Sequence, residues 1–135
     1  MLSRLFHCSG VMKALNKSQA MIEFGLDGTI LNANKNFLNA MGYGLSDIKG
    51  KHHRMFVDAA YANSADYQNF WERLRKCEHF VAEFQRFGKD NKEVWIQASY
   101  NPVMNALGRP VRIVKFASDI TAEKLCSMGH AGQIT

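Results

Sequence analysis

Residues 79–120 read HFVAEFQRFGKDNKEVWIQASYNPVMNALGRPVRIVKFASDI, and this stretch decides the fold. Three β-prone runs, 79–88, 93–103 and 111–120, alternate apolar with polar side chains, and the polar segments KDNK and NALGRP separate them. Period-two runs joined by short loops make an antiparallel meander, because parallel neighbours need a long crossover. Alternation puts Phe80, Ala82, Phe84 and Arg86 on one face of the first strand, and Val94, Ile96, Ala98 and Tyr100 on one face of the second. Trp95, Val114 and Phe116 fall on the opposite face, so both faces of the sheet carry bulky apolar groups and both need covering. Pro102 has no N–H to give a ladder and is expected to mark the end of its strand.

Working outward, two more β-prone runs, Met21–Leu26 and Thr29–Asn34, flank Asp27-Gly28, a pair that supplies the positive φ angles of a tight hairpin. Between this hairpin and the meander the period becomes helical. Phe37, Leu38 and Met41 mark a short helix that stops at Gly42-Tyr43-Gly44. Ser46 is expected to cap a second, with Asp47 in its first turn and Gly50 at its exit. HHRMFVD forms a third short piece. Ser64 caps a longer helix whose buried stripe is Tyr67, Phe70, Trp71 and Leu74. Two strands, several short helices and three strands give an α+β domain: a five-stranded antiparallel sheet with the central helices on one face. Leu2, Leu5, Phe6, Met12 and Leu15 recur at helical spacing, so residues 1–18 are expected to form an amphipathic helix that, alone or with a partner subunit, covers the other face.

Composition narrows the classes. At 135 residues and 47% hydrophobic, the chain is long and apolar enough for one folded domain and is not a disordered tail. Its longest apolar runs are a few residues, too short to cross a bilayer, and Arg4, His7 and Lys13 break any signal-peptide core, which leads to an expectation of a cytoplasmic domain. The net charge of +5 is spread along the chain rather than clustered, so nucleic acid is not an expected partner. Cys8, Cys77 and Cys126 are odd in number and widely spaced, which fits neither a disulfide framework nor a metal site. A phosphate loop, a nucleophile elbow and an HExxH motif are all missing; His52-His53 near Asp58 is the only acid-base pairing, and no enzyme is expected.

The segments IEFGLDGTILNANKNFLNAMGY, GKHHRMF, FWERL, KDNKEVWIQASYNPV and the closing Asp119-Ile120-Thr121 together resemble a PAS domain. The resemblance is closest to the PAS modules of cytoplasmic methyl-accepting chemotaxis proteins and aerotaxis-type receptors. It implies a cap helix over 1–18, a PAS domain over 19–121, and a helical linker over 122–135 leading to a further PAS or signalling module. It also implies a sensory input module that responds to redox state, oxygen or a small ligand, and passes the change through Asp119, Ile120 and Thr121 to the linker. A homodimer, a downstream methyl-accepting coiled coil and, through it, a chemotaxis kinase complex are the implied partners. A cofactor-free dimerisation and relay domain, or the input of a histidine kinase or cyclic-dinucleotide enzyme, would use the same fold.

The resemblance further implies FAD or haem as candidate cofactors, with an empty, Met- and Phe-packed interior (Phe37, Met55, Phe56, Phe84) as the third possibility. Flavin-holding relatives carry a polar Arg-His-x-x-Asp-like segment and a strand-initial Trp; here those places hold Val57-Asp58-Ala59-Ala60 and Phe80. His53, Trp71, Arg86, Asn36 and Phe80 are the candidate cofactor-binding residues, with His53 the one possible haem ligand and no other metal site expected. Each has a plainer role open to it. His53 can be a hydrogen-bonded buried histidine, Trp71 core, and Asp119 a helix cap.

Overall fold

The computed structural model describes residues 10–134. Helix α1 (Gly10–Ser18) leads into β1 (Ala20–Phe24) and β2 (Ile30–Ala33). Then come α2 (Lys35–Met41), α3 (Leu45–Ile48), a 3-10 turn (His53–Phe56), α4 (Ala59–Ala62) and α5 (Ala65–Arg75). Strands β3 (Phe80–Phe87), β4 (Glu93–Met104) and β5 (Pro110–Asp119) follow, and α6 (Thr121–Ile134) closes the chain. All five strands form one antiparallel sheet in the order β2-β1-β5-β4-β3. The meander thus supplies three neighbours, and the N-terminal hairpin docks β1 against β5, which makes β1 a central strand buried at every residue.

Register fixes the two faces. Tyr100 pairs with Phe80 on one side and Lys115 on the other, and Ala98 pairs with Ala82 and Ala117. Because directly paired residues share a face, Ile113, Lys115 and Ala117 join Tyr100 and Ile96 beneath the helices. The apolar faces of α2 and α5 close over them: Phe37, Met41, Phe70, Trp71 and Leu74 are buried against Phe24, Ile30, Phe56 and Tyr100. A fully buried Phe or Leu contributes about 2 kcal/mol by removal from water. On the opposite face Met21, Glu23 and Val114 are also buried, and Glu23 pairs with Arg112 at 3.1 Å. Helix α1 is tied to α2: Asn36 Nδ2 donates to the Lys17 and Gln19 carbonyls at 2.8 and 3.2 Å. Residues 1–9, half of the expected cap helix with Leu2, Leu5 and Phe6, lie outside the described residues.

Four local expectations need correction. The β1–β2 connection is not a two-residue turn: β1 ends at Phe24, and only Gly28, at φ 89°, is left-handed. Asp27 instead accepts from Thr29 N at 2.9 Å, a local bond that shapes a longer loop. Gly44, not Ser46, caps α3, because the Asp47 carboxylate reaches back to Gly44 N at 2.9 Å. Pro102 does not end its strand, which continues to Met104. The β3 ladder stops at the Phe80–Tyr100 pair, so beyond it β4 is an edge on that side, where a missing N–H is tolerated. Finally, α4 was not foreseen; it is a single turn capped by Asp58, which accepts from Ala60 N at 3.1 Å.

Candidate functional site

The centre of the helix-covered layer is polar. His53, at the start of the 3-10 turn, is wholly buried, and both of its ring nitrogens are engaged. Nδ1 lies 2.7 Å from Tyr67 Oη on α5, and Nε2 lies 2.9 Å from Tyr100 Oη on β4. Arg86 Nη2 donates to Tyr100 Oη at 3.2 Å, which extends the chain of bonds to β3. If the Tyr100 hydroxyl donates to Nε2 and Nδ1–H donates to Tyr67 Oη, both imidazole nitrogens are satisfied with the ring neutral. Burial holds the His53 imidazole well below the ordinary histidine range, with Arg86, Lys115 and His52 adding to the effect. Burial also raises both phenols, Tyr67 to about 12, so the Tyr-His-Tyr chain is neutral at physiological pH.

Aromatic rings enclose this network. The His53 ring centroid is 5.3 Å from those of Phe24 and Trp71, 5.7 Å from Tyr67 and 5.8 Å from Tyr100. Two basic side chains complete the layer. The Arg86 guanidinium lies 4.7 Å from the Phe84 ring, and Lys115 Nζ lies 4.7 Å from the Tyr100 ring. Lys115 is buried, and that burial, with the nearby Arg86, pushes its amine well below the normal lysine range. Among the described residues neither side chain pairs with a carboxylate.

His52, next to His53, faces the other way. Its Nδ1 accepts from Arg54 N at 3.0 Å and its Nε2 donates to the Asp27 carbonyl at 2.6 Å, a pattern that requires the neutral ring. The imidazole lies so close to Gly28 that a Cβ there would collide with it, so a side chain at 28 is excluded by space as well as by φ. His52, Trp71, Tyr67, Arg54 and Arg75 line a surface cleft of about 400 Å³. A second cavity, of about 290 Å³, lies between α4 and β3, with Arg86 and Tyr61 in its wall.

The five residues expected to bind a cofactor do not converge on one cavity. His53 is in the packed centre, Trp71 lines the α5 cleft, and Arg86 lines the β3 cavity. Phe80 packs at a tilt against Phe70, their ring centroids 4.9 Å apart, under Arg73, and Asn36 joins α2 to the end of α1. The residues around His53 do not fit haem. An axial bond from His53 would require breaking one of its two hydrogen bonds, and the space around it is filled by rings. Among the described residues no His, Cys, Asp and Glu cluster could hold a metal ion.

The strand exit is built on the other face. Trp95 N donates to Thr121 Oγ1 at 2.9 Å, Ile120 N donates to the Trp95 carbonyl at 2.8 Å, and Asp119 Oδ1 accepts from Thr121 N at 2.9 Å. Lys124, one turn into α6, pairs with Glu83 of β3 at 2.6 Å and lies over the Trp95 ring at 5.1 Å. Ile120 and Thr121 therefore fasten the first turn of α6 to β4, and Lys124 ties it to β3. The residue that sequence reasoning missed here is Trp95, which alternation had placed on this face only as an apolar group to be covered. Lys115 was missed inside; alternation along VRIVKFASD puts it inward with Ile113 and Ala117, and a charge at an inward position is the available signal.

A single antiparallel sheet with short helices on one face and an outgoing helix held at the end of its last strand defines the class of sensory α+β domains called PAS. The PAS fold family model matches residues 30–117, and the chain belongs to that family. It is 49% identical over 111 residues to the biofilm dispersion protein BdlA of Pseudomonas aeruginosa, an alignment that takes in 82% of this chain and 27% of that protein. The chain thus spans about a quarter of the length of that relative. In fold it is similar to a light-oxygen-voltage domain studied with a flavin analogue (TM-score 0.70, 18% identity, 93% of this chain and 95% of that one). It is also similar to a PAS domain from Colwellia psychrerythraea (TM-score 0.69, 20% identity, 82% and 93%). No helix among the described residues is long and apolar enough to cross a membrane.

Proposed function

We propose that this chain is the sensory input module of a cytoplasmic chemotaxis-type transducer, and that it passes a change between sheet and helices along β4 to α6. The observation that carries the reading is the exit clamp: Trp95 binds both Ile120 and Thr121 through its backbone, while Tyr100, on the same strand, binds His53 inside. A strand that shifts at Tyr100 must either carry Trp95 with it or break these bonds, so the first turn of α6 feels the interior. The relation to a biofilm dispersion protein supports a signalling role. On this reading the partners are a second copy of the chain, a methyl-accepting coiled coil downstream and the kinase complex it controls. The ring-filled surroundings of His53 favour a form of sensing that uses neither haem nor flavin.

Nuclear magnetic resonance tests the relay. Tyr100→Phe removes one hydroxyl from the interior, and the amide resonances of Thr121 to Lys124 are expected to move with those of Trp95. Shifts confined to the helix-covered face would reject the relay. Visible absorbance of the freshly purified chain is expected to lack a flavin or Soret band; either band would overturn the cofactor-free reading.

A further inference from the structure

We propose that the cavity between α4 and β3 is a binding site for a small monocarboxylate with an apolar tail, its carboxylate held by Arg86. The inference rests on the sensory reading and names the class of ligand it responds to. Arg86 lines this cavity and is buried to 5% exposure. Its Nη1 donates to the Gln85 carbonyl at 2.9 Å and its Nη2 to Tyr100 Oη, but the buried Nε donates to nothing. A guanidinium stays charged at any physiological pH, and a planar fork of donors is what a carboxylate matches in shape and charge. Among the described residues no carboxylate pairs with Arg86. An anion at Arg86 would offset its charge.

Size and lining narrow the ligand. A volume of about 290 Å³ holds roughly ten non-hydrogen atoms, taking about 30 Å³ as the share of one water, which admits a short-chain or monocyclic acid and excludes haem or a flavin. Val57, Tyr61, Phe84 and Phe87 give the tail an apolar wall. Asp58 and Glu83 also line the cavity, and both carboxylates are engaged, Asp58 with Ala60 N and Glu83 with Lys124. Their negative charge repels a ligand with a second acidic group or a phosphate, so they select for a single charge. A carboxylate that draws Arg86 from Tyr100 would alter the bond chain to His53 on the strand that carries the exit.

The test is titration of the whole chain with benzoate, hexanoate and, for comparison, inorganic phosphate, read by amide and side-chain resonances and by calorimetry. Saturable binding of either carboxylate is expected, with shifts at Tyr61, Phe84 and Arg86 rather than at His52 and Trp71. Arg86→Gln is expected to weaken it about tenfold or more, the scale of a charge-assisted hydrogen bond. Should that variant fail to fold by circular dichroism, Arg86→Lys, which keeps the charge but not the fork, and Tyr61→Trp, which fills the cavity, are each expected to weaken binding. A folded wild-type chain that binds neither carboxylate at millimolar concentration, an Arg86→Gln variant that binds unchanged, or phosphate binding equal to benzoate would overturn the proposal. The Tyr100→Phe relay experiment uses no ligand, so it stands or falls separately.

Discussion

The two faces of β4 carry hydrogen-bonded clusters of opposite character. Inside, Tyr100 belongs to a chain from Arg86 through His53 to Tyr67 that is buried, ring-enclosed and built from four separate elements. Outside, Trp95 meets Ile120 and Thr121 through partly exposed bonds at the junction of β5 with α6, where Asp119 accepts from Thr121 N. The same kind of bond is worth different amounts in the two places. An unmet donor in the interior carries its full desolvation cost, whereas water replaces a lost partner at the exit. A strongly held interior and a weakly held exit is the arrangement that lets the outgoing helix move while the fold persists.

The comparison can be broken, beginning with the largest effect. Tyr100→Phe strands His53 Nε2 and the second donor of Arg86, and is expected to cost about 3 kcal/mol in a urea melt, from two orphaned polar groups. A loss below about 1 kcal/mol would show that the interior is wet and the contrast unreal. Lys115→Met replaces a buried amine with a chain of similar volume and is expected to stabilise by about 2 kcal/mol at neutral pH, because the unfolded chain no longer gains by charging that amine. Destabilisation by that substitution would mean that Lys115 has a counter-charge.

Acidity sharpens the contrast. The folded His53 imidazole titrates well below its unfolded value, so below about pH 6.5 the unfolded chain binds a proton that the native chain refuses. Stability is therefore full above that pH and falls below it, by about 1.4 kcal/mol per unit for this one group. Urea melts of wild type and His53→Gln between about pH 7 and pH 5.5 are expected to converge as pH falls. Parallel curves would show that the imidazole is not shielded.

The exit is expected to respond on a smaller scale. Thr121→Val removes the hydroxyl that accepts from Trp95 N, and about 1 kcal/mol of local stability is expected to go, seen as faster hydrogen exchange at Ile120 to Lys124 with an almost unchanged melting temperature. A loss of global stability as large as that of Tyr100→Phe would erase the distinction between the faces. Lys124→Met, which breaks a partly exposed pair with Glu83, is expected to change stability by less than about 0.5 kcal/mol.

Legibility follows a similar division. The meander, the shared face of Val94, Ile96, Ala98 and Tyr100, and the Ser64 cap of α5 were readable, since each depends on side-chain period or on a bond within a few residues. The misreadings at Pro102 and Ser46 arose where a neighbour changed the rule: a strand that stops early beside Pro102, and an Asp47 carboxylate that turned Gly44 into the cap. His53 was a candidate by type, but that both its nitrogens are occupied could not be known, because its two partners lie on α5 and β4, far from it in sequence.

Alternation, turn chemistry and capping are properties of adjacent residues, and they alone determined five strands, their order along the chain and the faces they present. Which strands became neighbours, how Lys115 and Arg86 came to lie near one tyrosine, and how Thr121 reached Trp95 were decided by β1 docking between β2 and β5 and by the helices closing over the sheet. Those contacts join residues distant in the chain, and no local period encodes them.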